Sequence, residues 1–485
     1  MNGDLGWMAM TALLAIPAGA ALLLAGLPSY RLGAGLNAGA ALISLLASMI
    51  LFGVRPGANV YLRVDDFNTY LIILNNLVSF TTSAFSASYI THELETGRLT
   101  PKHLRFYHAM YQALVFAMNL ALLANNIGLL WVAIELATLV TVLMVGIYRT
   151  REALEAAWKY FILGSLGIAL ALFGTILVYL AAQPVMGQGL PAMAWDQLLT
   201  HAHAFDPALL NLAFIFLLLG YGTKAGLVPL HAWLPDAHAE GPTPISAVLS
   251  GLLLNVALYA VLRFKILMNA NPSALAPGPL MAGLGLLSLL FAGFMFYRRG
   301  DIKRLFAYSS IEHMGIMTFA FGMGGPLANF AGLLHMTMHS LTKSAIFFAV
   351  GYISQVKGTQ RISTIHGLTA THPLLGWGFV AGVMAIAGMP PFGVFMSEFL
   401  VVSSTFAREP WLALPLVIGL LLGFGTLLWR LHGIAFGESQ GANMPGPAPV
   451  TALPMMTHLI LVLAAGFWLP GPLVAWFQSV AALLG

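Results

Sequence analysis

The sequence predicts an all-α membrane protein with about fourteen transmembrane helices. Of its 485 residues, 59% are hydrophobic and only 8% are charged, whereas a soluble domain carries roughly 25% charged residues. Apolar runs of about 20 residues, the length that crosses the hydrocarbon core of a bilayer, recur along the whole chain. Because an open strand in lipid would leave backbone groups unpaired, these runs are expected to be helical.

The expected spans follow one another with short loops between them. The first begins at Trp7 without a preceding basic segment, which favours a spanning helix over a signal peptide. The spans are 7–27, 33–54, 67–90, 106–124, 127–148, 154–181, 208–231, 242–268, 279–298, 302–323, 327–353, 373–403, 411–436 and 450–478.

Basic residues divide unevenly between the two sets of loops. Of the 21 lysines and arginines, fourteen lie on or beside odd-numbered loops and five beside even-numbered ones, while Lys224 and Lys343 lie inside spans. Because short cytoplasmic loops carry an excess of positive charge, the odd-numbered loops should face the cytoplasm. An even number of crossings then puts both termini outside.

Spans seven and twelve are expected to be broken helices. Span seven and its exit read GYGTKAGLVPLHAWLPDAH, with Pro229 after Lys224, and span twelve reads AIAGMPPFGVFMSEFLVV, with Pro390 and Pro391 before Glu398. Proline removes a backbone donor and clashes with the preceding turn, so each helix should be interrupted there.

The two broken spans occupy matching places in the chain. The blocks 106–268 and 279–436 hold five spans each, and the fourth span of each block is the proline-interrupted one. This arrangement predicts two inverted five-helix repeats. They would be preceded by a three-helix segment, 1–105, and followed by a C-terminal helix within 450–485.

Four charged residues lie deep inside predicted spans: Glu135, Lys224, Lys343 and Glu398. A charge at mid-membrane costs at least roughly 2.5–3.5 kcal/mol, so such residues are usually paired, hydrated or functional. A carboxylate near Lys224 would favour its ammonium form, and separation of the two would favour proton release. Glu135 and Lys224 could alternatively form an inert ion pair between helices.

His335, His339 and Lys343 follow at four-residue steps and should share one helix face. A histidine both takes and gives a proton near neutral pH, so these residues suit a proton relay. Two alternatives remain from the sequence: the histidines could bind haem, or they could be hydrogen-bonded core residues.

Further ionisable residues lie near these positions. Glu312 and His313 lie two to three turns into span ten and could be accessory relay residues or hydrogen-bonded helix contacts, a choice that also applies to Glu398. His231 and His238 border the break of span seven, where they could line a cytoplasmic entrance or be ordinary loop histidines.

The motifs around these residues resemble the antiporter-like proton-pumping membrane subunits of NADH:quinone oxidoreductase, Mrp-type antiporters and energy-converting hydrogenases. The resemblance rests on YGTKAGLVPLHAWLPDAHAEGPTPISAVLSG from 221, KYFILGS from 159, AYSSIEHMGI from 307 and HMTMHSLTKSAIFF from 335. It covers nearly the whole chain, and the last two motifs together look most like the hydrogenase-4 component F branch of the family.

This resemblance implies a fourteen-helix fold with two inverted repeats and a polar axis. Glu135, Lys224, Lys343 and Glu398 match the family's glutamate–lysine pair, central lysine and terminal residue. Many relatives have lysine or histidine in span eight, where this chain has Asn255, which can orient water but carries no proton charge. The chain also ends soon after span fourteen, so it lacks the long lateral helix of the largest subunit in this family.

The resemblance further implies a proton-translocating subunit of a redox-driven complex in a bacterial or archaeal inner membrane. Its partners would be other membrane subunits, peripheral redox subunits and the lipid bilayer. Without cysteine the chain offers no thiolate zinc site or cysteinyl iron–sulfur cluster. No flavin or nicotinamide motif is present, so no cofactor is expected, redox chemistry should occur in the partners, and nucleic-acid binding is not expected.

Two rival functions remain from the sequence. One is a cation/proton antiporter, coupled to protons or to sodium, or an inorganic-carbon-uptake subunit of the same fold. The other is a structural membrane anchor whose buried charges hold helices together.

Overall fold

A computed structural model describes residues 2–27, 29–438 and 449–485, and the regular structure of these residues is helical. The helices before the first break are α1 (Asn2–Gly26), α2 (Tyr30–Gly53), α3 (Asp66–Glu95), α4 (Pro101–Leu123), α5 (Ile127–Val145), α6 (Arg151–Met186), the short α7 (Trp195–His201) and α8 (Pro207–Lys224).

The remaining helices complete the bundle. They are α9 (Trp233–Glu240), α10 (Thr243–Val248), α11 (Leu254–Asn269), α12 (Pro277–Phe296), α13 (Ile302–Met323), α14 (Pro326–Lys357), the short α15 (Leu368–Thr371), α16 (Pro373–Ile386), α17 (Gly393–Arg408), α18 (Pro410–Ala435), α19 (Leu453–Phe467) and α20 (Gly471–Leu483).

Within the described ranges, eleven helices are long and apolar enough to cross a membrane. Two further predicted spans, α13 and α14, fall outside that set although they are 22 and 32 residues long. Both run through the protein interior, where every residue of 305–321 and of 338–353 is buried. Because protein rather than lipid surrounds these helices, they tolerate polar residues that a lipid-facing helix would exclude.

The predicted interruptions of helices seven and twelve are confirmed. α8 ends at Lys224 and the chain becomes helical again at Trp233, while α16 ends at Ile386 and α17 begins at Gly393. Each break includes a cis peptide bond before a proline, at Val228–Pro229 and Pro390–Pro391. Each also contains a glycine with positive φ, Gly226 at 77° and Gly388 at 69°, a conformation that other residues rarely adopt.

The last predicted span, 450–478, forms two helices rather than one, and so does the segment 450–485 that was expected to hold a single C-terminal helix. α19 ends at Phe467, the backbone is extended at Trp468, and Pro470 precedes α20. Proline cannot supply the backbone donor that a continuous helix needs there. α20 is held against the bundle by Asn329, whose Nδ2 donates to the Ala481 carbonyl at 3.1 Å, and by Lys265, whose Nζ donates to the Leu484 carbonyl at 2.8 Å.

Contacts between loops agree with the predicted alternation of the spans. Two odd-numbered loops meet where Tyr148 donates a hydrogen bond to the Glu93 carboxylate at 3.0 Å. Two even-numbered loops meet where Leu62 pairs with Ala124 in an antiparallel bridge. The odd-numbered loops therefore share one end of the bundle and the even-numbered loops share the other.

Candidate functional site

The first cluster of candidate residues surrounds Lys224, which is fully buried at the end of α8. Its Nζ donates to the Tyr160 hydroxyl at 3.3 Å and lies 4.5 Å from the centroid of the Tyr160 ring. Gly164, one turn further along α6, also borders the ammonium group, because a Cβ there would lie 3.4 Å from Nζ. The KYFILGS motif thus supplies a hydrogen-bonding partner and a close backbone neighbour for the lysine.

The hydrogen bonds around Tyr160 have a defined direction. The Thr141 hydroxyl donates to the Ala137 carbonyl at 2.7 Å, so its oxygen is left to accept from Tyr160, whose Oη lies 2.8 Å away. The Tyr160 oxygen then accepts from Lys224. One donor-to-acceptor chain therefore runs from Lys224 on α8 through Tyr160 on α6 to Thr141 and the Ala137 carbonyl on α5.

Glu135 approaches this cluster without entering it. The carboxylate, on α5, interacts electrostatically with Lys224, yet no ion pair of 4.0 Å or less joins them in the described part of the chain. Glu135 is only partly buried, and its Oε2 has no hydrogen-bonding partner among the described residues. The predicted glutamate–lysine pair is therefore open in this structure.

The second cluster joins α13, α14 and α17 around three histidine rings. His313 Nδ1 lies 2.9 Å from His335 Nε2, and the His339 ring centroid lies 5.4 Å from that of His313. On the other side, His335 Nδ1 lies 2.9 Å from Ser397 Oγ. Glu398, the next residue of α17, places Oε1 4.0 Å from His313 Nδ1.

The hydrogen bonds of Ser397 assign the tautomers of this cluster. The Ser397 hydroxyl lies 2.7 Å from the Val394 carbonyl, which can only accept, so its single hydrogen is used there. His335 Nδ1 must then carry a hydrogen and donate to Ser397, which leaves Nε2 of a neutral ring as the acceptor from His313 Nδ1. With the hydrogen positions assigned from this network, His313 donates to His335 and His335 donates to Ser397.

Two glycines give the acidic residues of this cluster their positions. The Glu312 carboxylate packs against Gly423 of α18, and the Glu398 carboxylate packs against Gly388 in the break of helix twelve, where a Cβ on either glycine would collide with it. Glu312 Oε2 lies 3.9 Å from His313 Nε2 and has no closer polar partner among the described residues. Both carboxylates thus flank the His313 ring.

Lys343 is fully buried two turns along α14 from His335. Its Nζ donates to the Phe306 carbonyl of α13 at 2.9 Å and lies 5.6 Å from the Phe306 ring centroid. It interacts electrostatically with Glu312. The lysine is therefore solvated by a backbone dipole and an aromatic face, and the described residues give it no direct carboxylate partner.

Asn255 lies outside both clusters, just after a π-helical turn, Leu249–Leu253, a feature often found at functional sites. Its Nδ2 donates to Ser340 Oγ of α14 at 2.7 Å. Its Oδ1 and that of Asn75 on α3 have no hydrogen-bonding partner in the part of the chain that the structure describes, and both residues line a cavity of about 10 Å³. A cavity of this size can hold about one water.

The two histidines near the first break have different surroundings. His231 is mostly buried, with its ring 4.8 Å from that of Phe291, and it contacts neither cluster. His238, which was not predicted to join the relay, is fully buried, stacks on Phe347 at 4.8 Å and interacts electrostatically with Lys343. It lies on α9, the helix that follows the break after Lys224, although no hydrogen bond between described residues joins the two clusters through it.

The second cluster also has the atom types of a metal site, because ligand atoms of His313, His335 and Glu398 lie within 4.8 Å of one another. The His335 Nε2 lone pair that would bind a metal accepts the hydrogen bond from His313 instead, and Nδ1 is engaged with Ser397. The same two bonds leave His335 no nitrogen for haem iron. The observed geometry is a hydrogen-bonded chain from His313 through His335 to Ser397.

Reasoning from the sequence missed several buried polar residues. Tyr160 stands within the KYFILGS motif, and Ser397 directly precedes Glu398, so position along the chain could have suggested both. Lys303 is almost fully buried, and its Nζ donates to the Gly241 carbonyl at 2.8 Å just after α9. It follows a loop in a charged stretch, and no pattern distinguished it from its exposed neighbours.

Comparison with known proteins gives one family and close relatives. The family model described as NADH:quinone oxidoreductase/Mrp antiporter, transmembrane, matches residues 124–423. A protein of Methylacidiphilum infernorum named hydrogenase-4 component F homolog is 61% identical over 477 residues, which cover 98% of this chain and 100% of that protein. A component of the Na(+)/H(+) antiporter of Alkalihalophilus pseudofirmus is 26% identical, with 84% of this chain and 80% of that protein covered.

Solved structures share the fold over almost the entire chain. A chain of an archaeal membrane-bound sulfane sulfur reductase superposes with a TM-score of 0.86 at 23% identity, covering 98% of this chain and 97% of that one. A chain of respiratory complex I from Thermus thermophilus gives a TM-score of 0.82 at 23% identity, covering 98% and 100%. These similarities establish the fold.

Proposed function

The chain belongs to the NADH:quinone oxidoreductase/Mrp antiporter family of membrane subunits, and from that premise we propose that it carries protons through the membrane along its two polar clusters. The first cluster is Lys224 and Tyr160, with Glu135 beside it. The second holds His313, His335, His339, Glu312, Lys343 and Glu398, and His231 and Asn255 are proposed as outlying members of the same path.

One observation carries this proposal: two lysines and three histidines lie inside the bundle, and each is at most 1% exposed. None of them forms an ion pair within 4.0 Å to a described carboxylate, apart from the marginal approaches of Glu312 and Glu398 to His313 at 3.9 and 4.0 Å. Uncompensated charge is costly at this depth. A purely structural role would favour tight pairs with satisfied hydrogen bonds. These residues are Lys224, Lys343, His313, His335 and His339.

Within the first cluster, the distance between Glu135 and Lys224 is the proposed control. When the carboxylate closes on the ammonium, Lys224 holds its proton, because an opposite charge favours the charged form. When the pair opens, as in this structure, desolvation favours release. Tyr160 is the hydrogen-bonding partner of Lys224 at 3.3 Å and orients the ammonium group in the open state.

Within the second cluster, the directed hydrogen bonds support a relay. A proton arriving at His313 Nε2 from Glu312 would allow His313 to pass its Nδ1 hydrogen to His335 Nε2, since these atoms are 2.9 Å apart. Glu398 lies beside His313 and is partly exposed, with 13% of its side chain accessible. It is the proposed exit, and Lys343 is the proposed link back towards the first cluster.

We further propose that the chain works with other membrane subunits and with peripheral redox subunits, as in a hydrogenase-type complex. The 61% identity to a hydrogenase-4 component F homolog over its whole length supports this branch. The basic residues of the odd-numbered loops support a cytoplasmic position for that end of the bundle. Both termini would then lie outside the cytoplasm.

The two five-span blocks, 106–268 and 279–436, are proposed to be inverted repeats. The second helix of each block carries a glutamate, Glu135 and Glu312, and the fourth helix of each block is broken. A repeat of this kind lets one half move against the other around a fixed site.

The proposal is tested by measuring proton uptake into vesicles that contain the whole complex, with Lys224→Met and Glu135→Gln. We expect assembled complexes that retain electron transfer but lose most proton translocation. Lys265→Met is the matched control, since this lysine is also buried but bonds the Leu484 carbonyl at the far end of α20.

Two results would redirect the proposal. If both variants pumped as well as the control, the buried charges would be structural and the chain a membrane anchor. If translocation depended on sodium in the unaltered complex, the chain would be a cation/proton antiporter instead.

A further inference from the structure

A groove on the outer surface of the bundle lies apart from both polar clusters. It has a volume of about 550 Å³ and is bounded by the first turns of α4 and α6 and the last turns of α5. Its walls are largely apolar and are lined by Phe106, Val142, Leu143, Ile147, Leu154 and Trp158. Several of these side chains are well exposed, with Trp158 at 62% and Leu143 at 53%.

One end of this groove is positively charged. Lys102 and His103 begin α4, Arg149 lies between α5 and α6, and all three line the groove, whereas no acidic residue does. Lys102 and Arg149 form no ion pair with a described residue, whereas Arg98, Lys159 and Arg304 at the same end of the bundle do. Lys102 and His103 are neighbours on α4, whereas Arg149 comes from the connection between α5 and α6, so the fold brings these two segments together.

The dimensions of the groove suit a hydrocarbon chain. The α6 residues that line it run from Leu154 to Phe161, about 10 Å along a helix axis at 1.5 Å per residue. That distance is within one leaflet, whose hydrocarbon half is about 15 Å thick. The cations lie at the end of the helices, where lipid headgroups lie, and Trp158 is of the type enriched near that boundary.

From this arrangement we propose that the groove binds an anionic phospholipid. Its phosphate lies between Lys102, His103 and Arg149, and one acyl chain runs along Leu143, Leu154 and Trp158. A zwitterionic lipid adds a positive group of its own beside Lys102 and Arg149, and a neutral quinone brings no anion to them. This site goes beyond the proposed proton path, which none of its residues joins, and it braces the helices that carry Glu135 and Tyr160.

The test uses the full chain in its complex, reconstituted in nanodiscs with phospholipids that carry brominated acyl chains. Bromine quenches tryptophan fluorescence on contact, and the difference between the natural protein and Trp158→Phe isolates the signal of Trp158. We expect brominated phosphatidylglycerol to quench Trp158 at a much lower mole fraction than brominated phosphatidylcholine does.

Charge variants decide whether the preference is specific. Lys102→Gln with Arg149→Gln should lower the preference for phosphatidylglycerol by about fivefold for each basic residue removed. Arg298→Gln with Arg361→Gln, a control at the same end of the bundle with both side chains exposed and outside the groove, should leave it unchanged. Leu143→Phe keeps the charges, adds bulk inside the groove without adding a tryptophan, and should reduce quenching of Trp158 by both lipids.

Three results would overturn the proposal. Equal quenching by the two lipids would mean that only ordinary surrounding lipid touches Trp158. Equal losses in the two double variants would mean that general surface charge sets the preference. Quenching seen in the isolated chain but absent in the complex would mean that a neighbouring subunit, rather than a lipid, occupies the groove.

Discussion

Ser397 accepts a hydrogen bond from His335, with its Oγ 2.9 Å from His335 Nδ1. Because the same hydroxyl donates to the Val394 carbonyl at 2.7 Å, it fixes which nitrogen of His335 carries the hydrogen. Ser397 is thus a positioning residue: it acts on the proposed relay through the tautomer of a histidine.

The first prediction concerns Ser397. In Ser397→Ala the Nδ1 hydrogen of His335 loses its acceptor, and leaving a buried donor unpaired costs about 1–3 kcal/mol. We expect proton translocation to fall roughly tenfold, the factor that corresponds to about 1.4 kcal/mol in a barrier. Ser397→Thr keeps the hydroxyl and should restore flux, and ¹⁵N spectra of the histidines should show the tautomer change only in the alanine variant. An unchanged spectrum in Ser397→Ala would contradict the assignment.

The second prediction concerns the hydroxyl that orients Lys224. Tyr160→Phe keeps the aromatic face near the ammonium but removes the acceptor at 3.3 Å. We expect assembly to be normal and proton uptake by vesicles to fall by about tenfold or more, because a hydrogen bond to a charged group contributes about 1.5–3 kcal/mol. Tyr111→Phe is the control, since this buried tyrosine donates to the Ser79 carbonyl at 2.7 Å, away from Lys224. Similar losses in both variants would argue against a specific role for Tyr160.

The third prediction uses two glycines of α18 that lie two residues apart. A Cβ at Gly423 would collide with the Glu312 carboxylate, whereas a Cβ at Gly425 would meet nothing within 4 Å. Gly423→Ala should destabilise the protein by about 1–3 kcal/mol through overpacking and should displace Glu312. Gly425→Ala should be neutral or stabilising by up to about 1 kcal/mol, because alanine favours helix. Thermal unfolding in detergent measures both, and a stable, fully active Gly423→Ala variant would contradict the packing.

The fourth prediction concerns pH and a buried ion pair at the even-numbered end. Asp65, the N-cap of α3, binds the two terminal nitrogens of Arg263 at 2.7 and 2.9 Å. Although burial of the carboxyl acts in the opposite direction, the charges of Arg263 and Arg63 and the hydrogen bonds to Asp65 lower its pKa from 3.8 to about 2. Because the folded pKa is the lower one, the stabilisation is complete above pH 3.8 and is lost as the pH falls towards 2.

The lowered pKa of Asp65 corresponds to about 2 kcal/mol of stability at neutral pH. Unfolding temperatures measured from about pH 6 to about pH 2.5 should therefore fall more steeply in the natural protein than in Asp65→Asn. Subtracting the two curves removes the contribution of other carboxylates. Parallel curves would show that Asp65 titrates alike in the folded and unfolded states.

Features that depend on neighbouring residues could be predicted from the sequence. Runs of apolar residues identified the membrane helices, and the prolines after Lys224 and before Glu398 located two breaks. The apolar run of the last span predicts one continuous helix, whereas the chain breaks before Pro470, which lacks the backbone donor that a helix needs. Charged residues in apolar runs also stood out as candidates, since lipid makes them costly.

The tertiary structure alone decided which of these residues meet. His313 contacts His335 across 22 residues of sequence, and Ser397 reaches the same ring across 62, distances over which no helical period gives a contact. It also decided that Glu135 and Lys224 stand apart and that Lys303 is buried. Composition and periodicity determine where a helix forms and whether it inserts into a membrane, since helix formation and insertion depend on local backbone and solvation energies. The partner of a buried side chain depends on how distant helices pack, and only the folded chain specifies that.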